Sequence, residues 1–481
     1  MKVLMVAAEM TPLVKIGGLA DVMGSLPKAL RAMGHDIRLI LPGYQQIDQS
    51  LQGLATEKKV TVALGGKDWT GEIFETQVGE VPVYLIKSPD FYERPGIYVN
   101  PEGRDYPDNL FRFSFFCVAA LEALQVLSFR PEIIHCNDWH TSLIPGLIKT
   151  HYSSDPFYQS IRTLLTIHNL GYQGVFSLEE LRSLDFNPWL SSAEGYEFYG
   201  KANLLKGGIL LSDAINTVSP NYARETQIPE YGWGLDEVLR SRRDDIFGII
   251  NGLDYQEWNP ATDLYIVSPF SIDSIEQKVD NKLALQRNLG LREDQEVPLL
   301  GLVARLVEQK GIDLLEEALP DLLRETNLQF VVLGTGEKKY ENLLQNLRMN
   351  FPQQVAVEFS FNELRAKQIY SGADMFLLPS RYEPCGLAQM ICMRYGTIPI
   401  ARATGGLVDT VTDYDPEGKG NGFLFYPFTG SALREAILRA LQVYAEPTAW
   451  KELITRGMQT DFSWKNSALE YLALYYKITV G

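Results

Sequence analysis

A glycine-punctuated alternation of apolar strands and amphipathic helices runs through this 481-residue chain and leaves it few folds. Val3 to Ala8 is an apolar run ended by Glu9, and a loop follows from Met10 to Gly18. Leu19, Val22, Met23, Leu26, Leu30 and Met33 then recur at helical spacing, Gly34 stops them, and Ile37 to Leu41 is apolar again. A strand, a loop, a helix and a strand of these lengths make a βαβ unit of a parallel sheet, whose ligand end lies at the carboxyl ends of its strands. The turn has neither Gly-x-Gly-x-x-Gly nor the P-loop pattern, so neither NAD nor a P-loop nucleotide is indicated. Lys15 is here either an ordinary loop lysine or a ligand for an anion.

The rhythm breaks between residues 43 and 110, where Val60 to Leu64, Glu72 to Val78 and Val81 to Ile86 read as short strands of an insertion hanging from the sheet. It resumes with a helix from Asn109 to Leu127 and strands Ile133 to His135, Arg162 to Ile167 and Ala214 to Val218. Two polar clusters, Asn137-Asp138-Trp139-His140 and His168-Asn169-Leu170-Gly171, lie just past strand ends, where open α/β sheets keep their sites. His135 reads as a satisfied core histidine, and Asp138 and His168 as the residues facing a cleft. The aromatic loop Tyr231 to Leu235 either stacks on a flat sugar face or is a surface turn.

A boundary falls near Ile249 to Pro260, after which the pattern restarts. Pro298 to Ala304 is a strand ending at Arg305, and Lys310-Gly311 opens the next helix. Leu328 to Leu333 runs into Gly334-Thr335-Gly336, a weak dinucleotide signal because Lys339 occupies the third glycine position. Val355 to Phe359 is a further strand. From Asp374 to Leu407 two strand–loop–helix units stand back to back, with loops Ser380 to Gly386 and Thr404 to Gly406; free N–H groups at such helix starts favour anions. Glu383 either caps a helix or holds sugar hydroxyls beside the phosphate. Helices at Leu433 to Tyr444 and Ser467 to Ile478 close the chain. Two α/β halves joined by a hinge imply Rossmann-like domains facing across a cleft, residues 1–256 and 257–481, with the last helix, about 465–481, returning to the first.

Charge narrows the partners. With 44 basic against 60 acidic residues the net charge is -16, so nucleic acid and anionic membrane are excluded as partners while a neutral polymer is not. An anionic small molecule needs a local cation cluster, and Arg305 with Lys310 beside the glycine turns provides one. Val3 to Ala8 is too short for a signal-peptide core, and Phe111 to Leu127, the richest apolar stretch, is broken by Arg112 and Glu122. The four cysteines show no Cys-x-x-Cys pairing and imply a reducing compartment. No hydrolase-triad or zinc-peptidase motif is present.

Lys15 to Val22, Asp108 to Phe113, Asp138-Trp139-His140, His168 to Gly174, Asn251 to Asp254 with Trp258-Asn259-Pro260, Arg305 with Lys310-Gly311, Glu383 to Leu387 and Thr404 to Leu407 carry a family likeness along the whole chain. In these the sequence resembles the bacterial glycogen synthases and plant starch synthases, retaining glucosyltransferases of the GT-B type. It departs from the family's pattern at Ile16, at Asn137, and at Ile391, where the wider superfamily carries a second Glu. The resemblance implies transfer of glucose from ADP-glucose to the non-reducing end of an α-1,4-glucan, in cytosol or plastid stroma, with no cofactor and no metal. UDP-glucose as donor, or a non-catalytic glucan- or nucleotide-sugar-binding homologue, are the alternatives. No lysine is marked for the pyridoxal phosphate of a glucan phosphorylase. By the same resemblance Glu383, Arg305, Lys310, His168 and Asp138 are the catalytic set. Lys15, Gly17, Gly18, Asn251, Gly334, Cys385, Gly386, Leu387, Thr404 and Gly405 bind the donor, and Asp21, Asn169, Tyr172, Trp139 and Trp233 the acceptor.

Overall fold

The computed structural model describes residues 1–47, 53–415, 417 and 419–480. The chain divides into two compact units, Met1–Gly252 with Trp464–Gly481, and Leu253–Ser463. Both are built on largely parallel sheets whose central strands are buried on both faces, as covering helices require.

In the first unit the parallel strands are β1 (Lys2–Val6), β2 (Asp36–Pro42), β5 (Val81–Lys87), β6 (Ile133–Asn137), β7 (Arg162–Ile167), β11 (Ala214–Thr217) and β12 (Ile246–Gly248). Strands β3 (Leu54–Leu64) and β4 (Lys67–Val78) complete a sheet of order β12-β11-β7-β6-β1-β2-β5-β4-β3. The expected hanging insertion is thereby corrected. Strand β5 pairs in parallel with β2, and β4 and β3 extend the same sheet antiparallel. Their alternating buried and exposed residues had read as a separate piece because only one face is covered. A small sheet of β8 (Val175–Ser177), β9 (Glu197–Phe198) and β10 (Lys201–Asn203) stands apart.

Among the described residues, Asn109–Val126 is the one helix long and apolar enough to cross a membrane, so length alone had not excluded it. It is instead a core helix, with Phe113, Phe115, Phe116 and Leu121 fully buried. The fully buried Arg112 on this helix donates to the carbonyls of Phe91 and Ile97 and to Asn109 Oδ1, tying down the loop that carries Tyr98. The last helix, Trp464–Val480, buries Tyr471 and Tyr475 in the first unit's core, where Tyr475 meets His135 Nδ1 at 2.8 Å and Tyr471 accepts from Asn216.

In the second unit β13 (Leu299–Val303), β14 (Gln329–Leu333), β15 (Val355–Glu358), β16 (Met375–Leu378), β17 (Ile398–Arg402) and β18 (Phe423–Phe425) form one parallel sheet of order β15-β14-β13-β16-β17-β18. A helix at Pro447–Gln459, which the sequence reading passed over, precedes the crossing back.

Candidate active site

Each sheet has one place where successive connections leave in opposite directions. In the first it lies between β1 and β6, in the second between β13 and β16. Such switch points open a crevice beyond the strands' carboxyl ends. The loops there are those carrying Glu9 to Gly18 and Asp138 in the first unit, and Arg305 to Lys310 and Ser380 to Glu383 in the second. Strand-end placement was legible in the sequence, but the adjacency of these strand pairs was not.

In the second unit, Glu383 is 6% exposed and its Oε2 receives the Lys310 ammonium at 2.5 Å and the Ser380 hydroxyl at 2.9 Å. The carboxylate is thus aimed by two donors, and Ser380, which sequence reasoning missed, is one of them. Its signal was a hydroxyl three residues before the Glu in a loop at a strand end. Arg305 is exposed, and its guanidinium has no hydrogen-bond or ion-pair partner among the described residues. An unpaired cation at a switch point is available for an anion; Lys310 is shared.

The glycine turns are explained by close approach. A Cβ on Gly405 (φ +47°) would lie 1.8 Å from the Glu383 carbonyl, and Gly406 donates its N–H to that carbonyl at 3.0 Å. Thr404 and Gly405 are buried, and the second turn lies flat against the loop that holds Glu383 and Cys385. Gly386 (φ +75°) abuts Gln389, and Leu387 precedes a helix of only seven residues, Ala388–Arg394, while Gly406–Thr410 has five. Such short helices add little dipole to anion binding. Gly334 is likewise set by packing, its Cβ position being 2.0 Å from the Ala304 carbonyl.

In the first unit the Lys15 ammonium pairs with Asp21 at 2.7 Å, and both side chains are partly exposed. Asp21 is therefore a partner of Lys15. Glu9, 4% exposed, accepts the backbone N–H groups of Ile16 at 2.5 Å and Gly17 at 2.9 Å, and its other oxygen takes the Tyr98 hydroxyl at 2.5 Å. Sequence reasoning took Glu9 only as the end of an apolar run and had no means of pairing it with Tyr98, 89 residues away. A Cβ on Gly17 or Gly18 meets nothing within 4 Å, so packing within the chain does not demand glycine there.

Asp138 has φ +56°, a strained value for a non-glycine residue. Its carboxylate accepts the His168 backbone N–H at 2.7 Å, with a second bond from the Asn169 backbone, and so pins the His168 loop. Burial nonetheless pushes its carboxyl up to about 7. His168 is half-buried, and burial pushes its imidazole down to about 3. Asn169 Oδ1 caps the turn by accepting from Gly171. Trp139 is enclosed by Phe113, His140 and Phe176 and is 8% exposed, a core side chain more than a sugar platform. Tyr172 and Trp233 are 57% and 49% exposed, and the Trp233 carbonyl accepts from Gln173. Asn251 is 6% exposed and its Oδ1 has no hydrogen-bond partner among the described residues. Among the described residues no group of three or more His, Cys, Asp and Glu is placed to hold a metal.

Comparison with known proteins covers nearly all of this architecture. Residues 2–241 match the family described as "Starch synthase catalytic domain", and residues 286–455 match "Glycosyl transferases group 1". The chain is 47% identical over 477 residues to a glycogen synthase of Geotalea daltonii, covering 99% of this chain and 98% of that one. It is 44% identical over 486 residues to a glycogen synthase of Thermotoga maritima, with 99% of both covered. The catalytic domain of starch synthase IV from Arabidopsis thaliana, solved bound to ADP and acarbose, matches with TM-score 0.91 at 36% identity over 100% of this chain and 99% of that one. A sucrose-phosphate synthase from Thermosynechococcus elongatus, at TM-score 0.60 and 17% identity, shares the fold alone.

Proposed function

Because this chain belongs to the family of glycogen and starch synthases, we propose that it transfers glucose from ADP-glucose to the non-reducing end of an α-1,4-glucan with retention of configuration. The single observation that carries the assignment of roles is the placement at the β13–β16 switch point of an unpaired cation, Arg305, beside a carboxylate aimed by Lys310 and Ser380.

The leaving group is a nucleoside diphosphate, so the barrier falls most where positive charge meets the negative charge that develops as the glycosidic bond breaks. Arg305 supplies it, and Lys310 shares its charge between the diphosphate and Glu383. Glu383 accepts hydrogen bonds from hydroxyls of the transferred glucose. His168, on a loop pinned by Asp138, supports the electron-poor anomeric centre through its backbone carbonyl. Asp138 is then a positioning residue. Lys15 and the Gly17-Gly18 turn, Asn251, Gly334, Cys385 to Leu387 and Thr404-Gly405 are proposed as further donor contacts. Tyr172, Trp233, Asn169 and Asp21 are proposed on the acceptor side. The reaction is placed in the cytosol, where four buried thiols stay reduced.

The test is product analysis with ADP-glucose and UDP-glucose offered separately beside glycogen. Chain elongation with ADP-glucose, with the new linkage α by proton NMR, is the expected result. Turnover with UDP-glucose alone would overturn the donor assignment, and turnover with neither would overturn the activity.

A further inference from the structure

Asn137, the last residue of β6, is fully buried, and its amide orientation is settled by its neighbours. Nδ2 donates to the carbonyls of Val6 at 3.1 Å and His135 at 3.2 Å, which uses both its protons. Oδ1 must then be the atom facing His168 Nε2 at 2.9 Å. An amide oxygen only accepts, so Nε2 bears the proton. A neutral imidazole has one N–H, and Nδ1 is left with a lone pair that can only accept. Nδ1 has no protein partner among the described residues.

We infer that Asn137 is a positioning residue that holds His168 as the Nε2–H tautomer, so that Nδ1 accepts a hydrogen bond from a hydroxyl of the bound sugar. The inference rests on the placement of His168 against the transferred glucose. The surroundings favour a neutral ring. Asp138 spends its carboxylate on the His168 backbone N–H, not on the imidazole. His135, on the same strand as Asn137, bonds Tyr475 and Thr166. Burial pushes both imidazoles down to about 3, and the more distant Glu9 is occupied by Ile16, Gly17 and Tyr98. Because an amide has no protonation state to change in the working range, it fixes the tautomer more firmly than a second histidine at 137 would. His168 can then recognise a hydroxyl but has no Nδ1 proton to give, so it is excluded as a general acid through that atom.

With five histidines in the chain, side-chain 15N correlation spectra of the full-length enzyme are tractable. In unliganded enzyme at neutral pH, His168 Nδ1 should show the shift of an unprotonated nitrogen and Nε2 that of an N–H; a protonated Nδ1 would overturn the inference. Asn137→Ala should mix the tautomers and lower kcat about tenfold, the scale of one lost hydrogen bond. Asn137→Asp loses the Nδ2 bonds to the Val6 and His135 carbonyls and sets a carboxylate against Nε2. His168 should then take up a second proton, at Nδ1, and the rate should fall; a ring that stays neutral in this variant would count against control by residue 137. An Asn137→Ala enzyme with wild-type tautomer and rate would show that something else orients the ring. The wild-type spectrum decides even where a variant folds poorly. Donors lacking one glucose hydroxyl at a time test the underlying placement. If none loses rate while the spectrum is as expected, His168 is not against the glucose, although Asn137 still sets its tautomer.

Discussion

Removing the Lys310 ammonium leaves the Glu383 carboxylate, almost wholly buried, with the Ser380 hydroxyl as its remaining donor. A buried charge stripped of its partner costs about 3 kcal/mol, so Lys310→Ala should lower the melting temperature as well as kcat. Arg305→Ala strips no partner. It should leave stability unchanged while lowering kcat by about two to three decades, with a much smaller change in KM. Lys310→Ala with Glu383→Ala should fall well short of the product of the single losses, because each single variant already disables the other residue. Steady-state kinetics and thermal melts on the four proteins check this, and multiplicative losses would mean that the pair acts as two independent groups. Burial also sets a pH dependence. His135, His140 and His168, all pushed down to about 3, gain protons on unfolding at any pH below their ordinary 6.5. Their stabilisation is full above 6.5 and falls below it by about 1.4 kcal/mol per pH unit for each proton. Asp138, raised to about 7 from an ordinary 3.8, works the other way, its contribution being lost as pH rises through 7. Three protons against one leave a net loss on acidification, so urea midpoints for the first unit should be highest at or just above pH 7 and lower at pH 5. A midpoint that rises at pH 5 would contradict the neutral histidines.

Among the elements, the glycines separate into two kinds. A methyl group on Gly405 would collide with the Glu383 backbone, whereas one on Gly17 or Gly18 meets no atom of the chain. Gly405→Ala should therefore lower the melting temperature and displace the loop holding Glu383. Gly18→Ala should leave the melt unchanged and raise KM for the donor. Melts and donor titrations distinguish the two, and equal melts would remove the packing account of Gly405. The strands themselves were legible: Arg162–Ile167 begins and ends where the apolar run does, and the helix from Leu19 begins one residue early, at Gly18. The glycine turn at 405 was legible as a turn. Its cause was not, because the Glu383 backbone it packs on lies 22 residues earlier in the chain. The same limit hid the Glu9–Tyr98 bond and the extension of the large sheet by β3 and β4. Neither has a local pattern, since both depend on which distant segments become neighbours.

At the scale of the whole molecule, the chain crosses from the first unit to the second at Gly252–Leu253 and returns at Ser463–Trp464. The two crossing segments run side by side, with Leu253 N–H bonded to the Phe462 carbonyl at 2.6 Å. The returning helix is part of the first unit's core, with Trp464, Tyr471, Leu474 and Tyr475 buried there. Ending the chain at Ser463 should strip His135 and Asn216 of hydrogen-bond partners and destabilise the first unit while sparing the second. Hydrogen exchange resolved by segment checks it, and unchanged protection in β6 and β11 would rule the helix out as a core element.

That late-arriving helix also has a consequence for biosynthesis. When Gly252 leaves the ribosome, the first unit has all nine strands of its large sheet but an unfilled apolar trough where Tyr471 and Tyr475 belong. Translation of the second unit takes on the order of 10–40 s at about 5–20 residues per second. For that interval the nascent chain presents a sticky surface, so the second unit, encoded later, is the first able to finish folding.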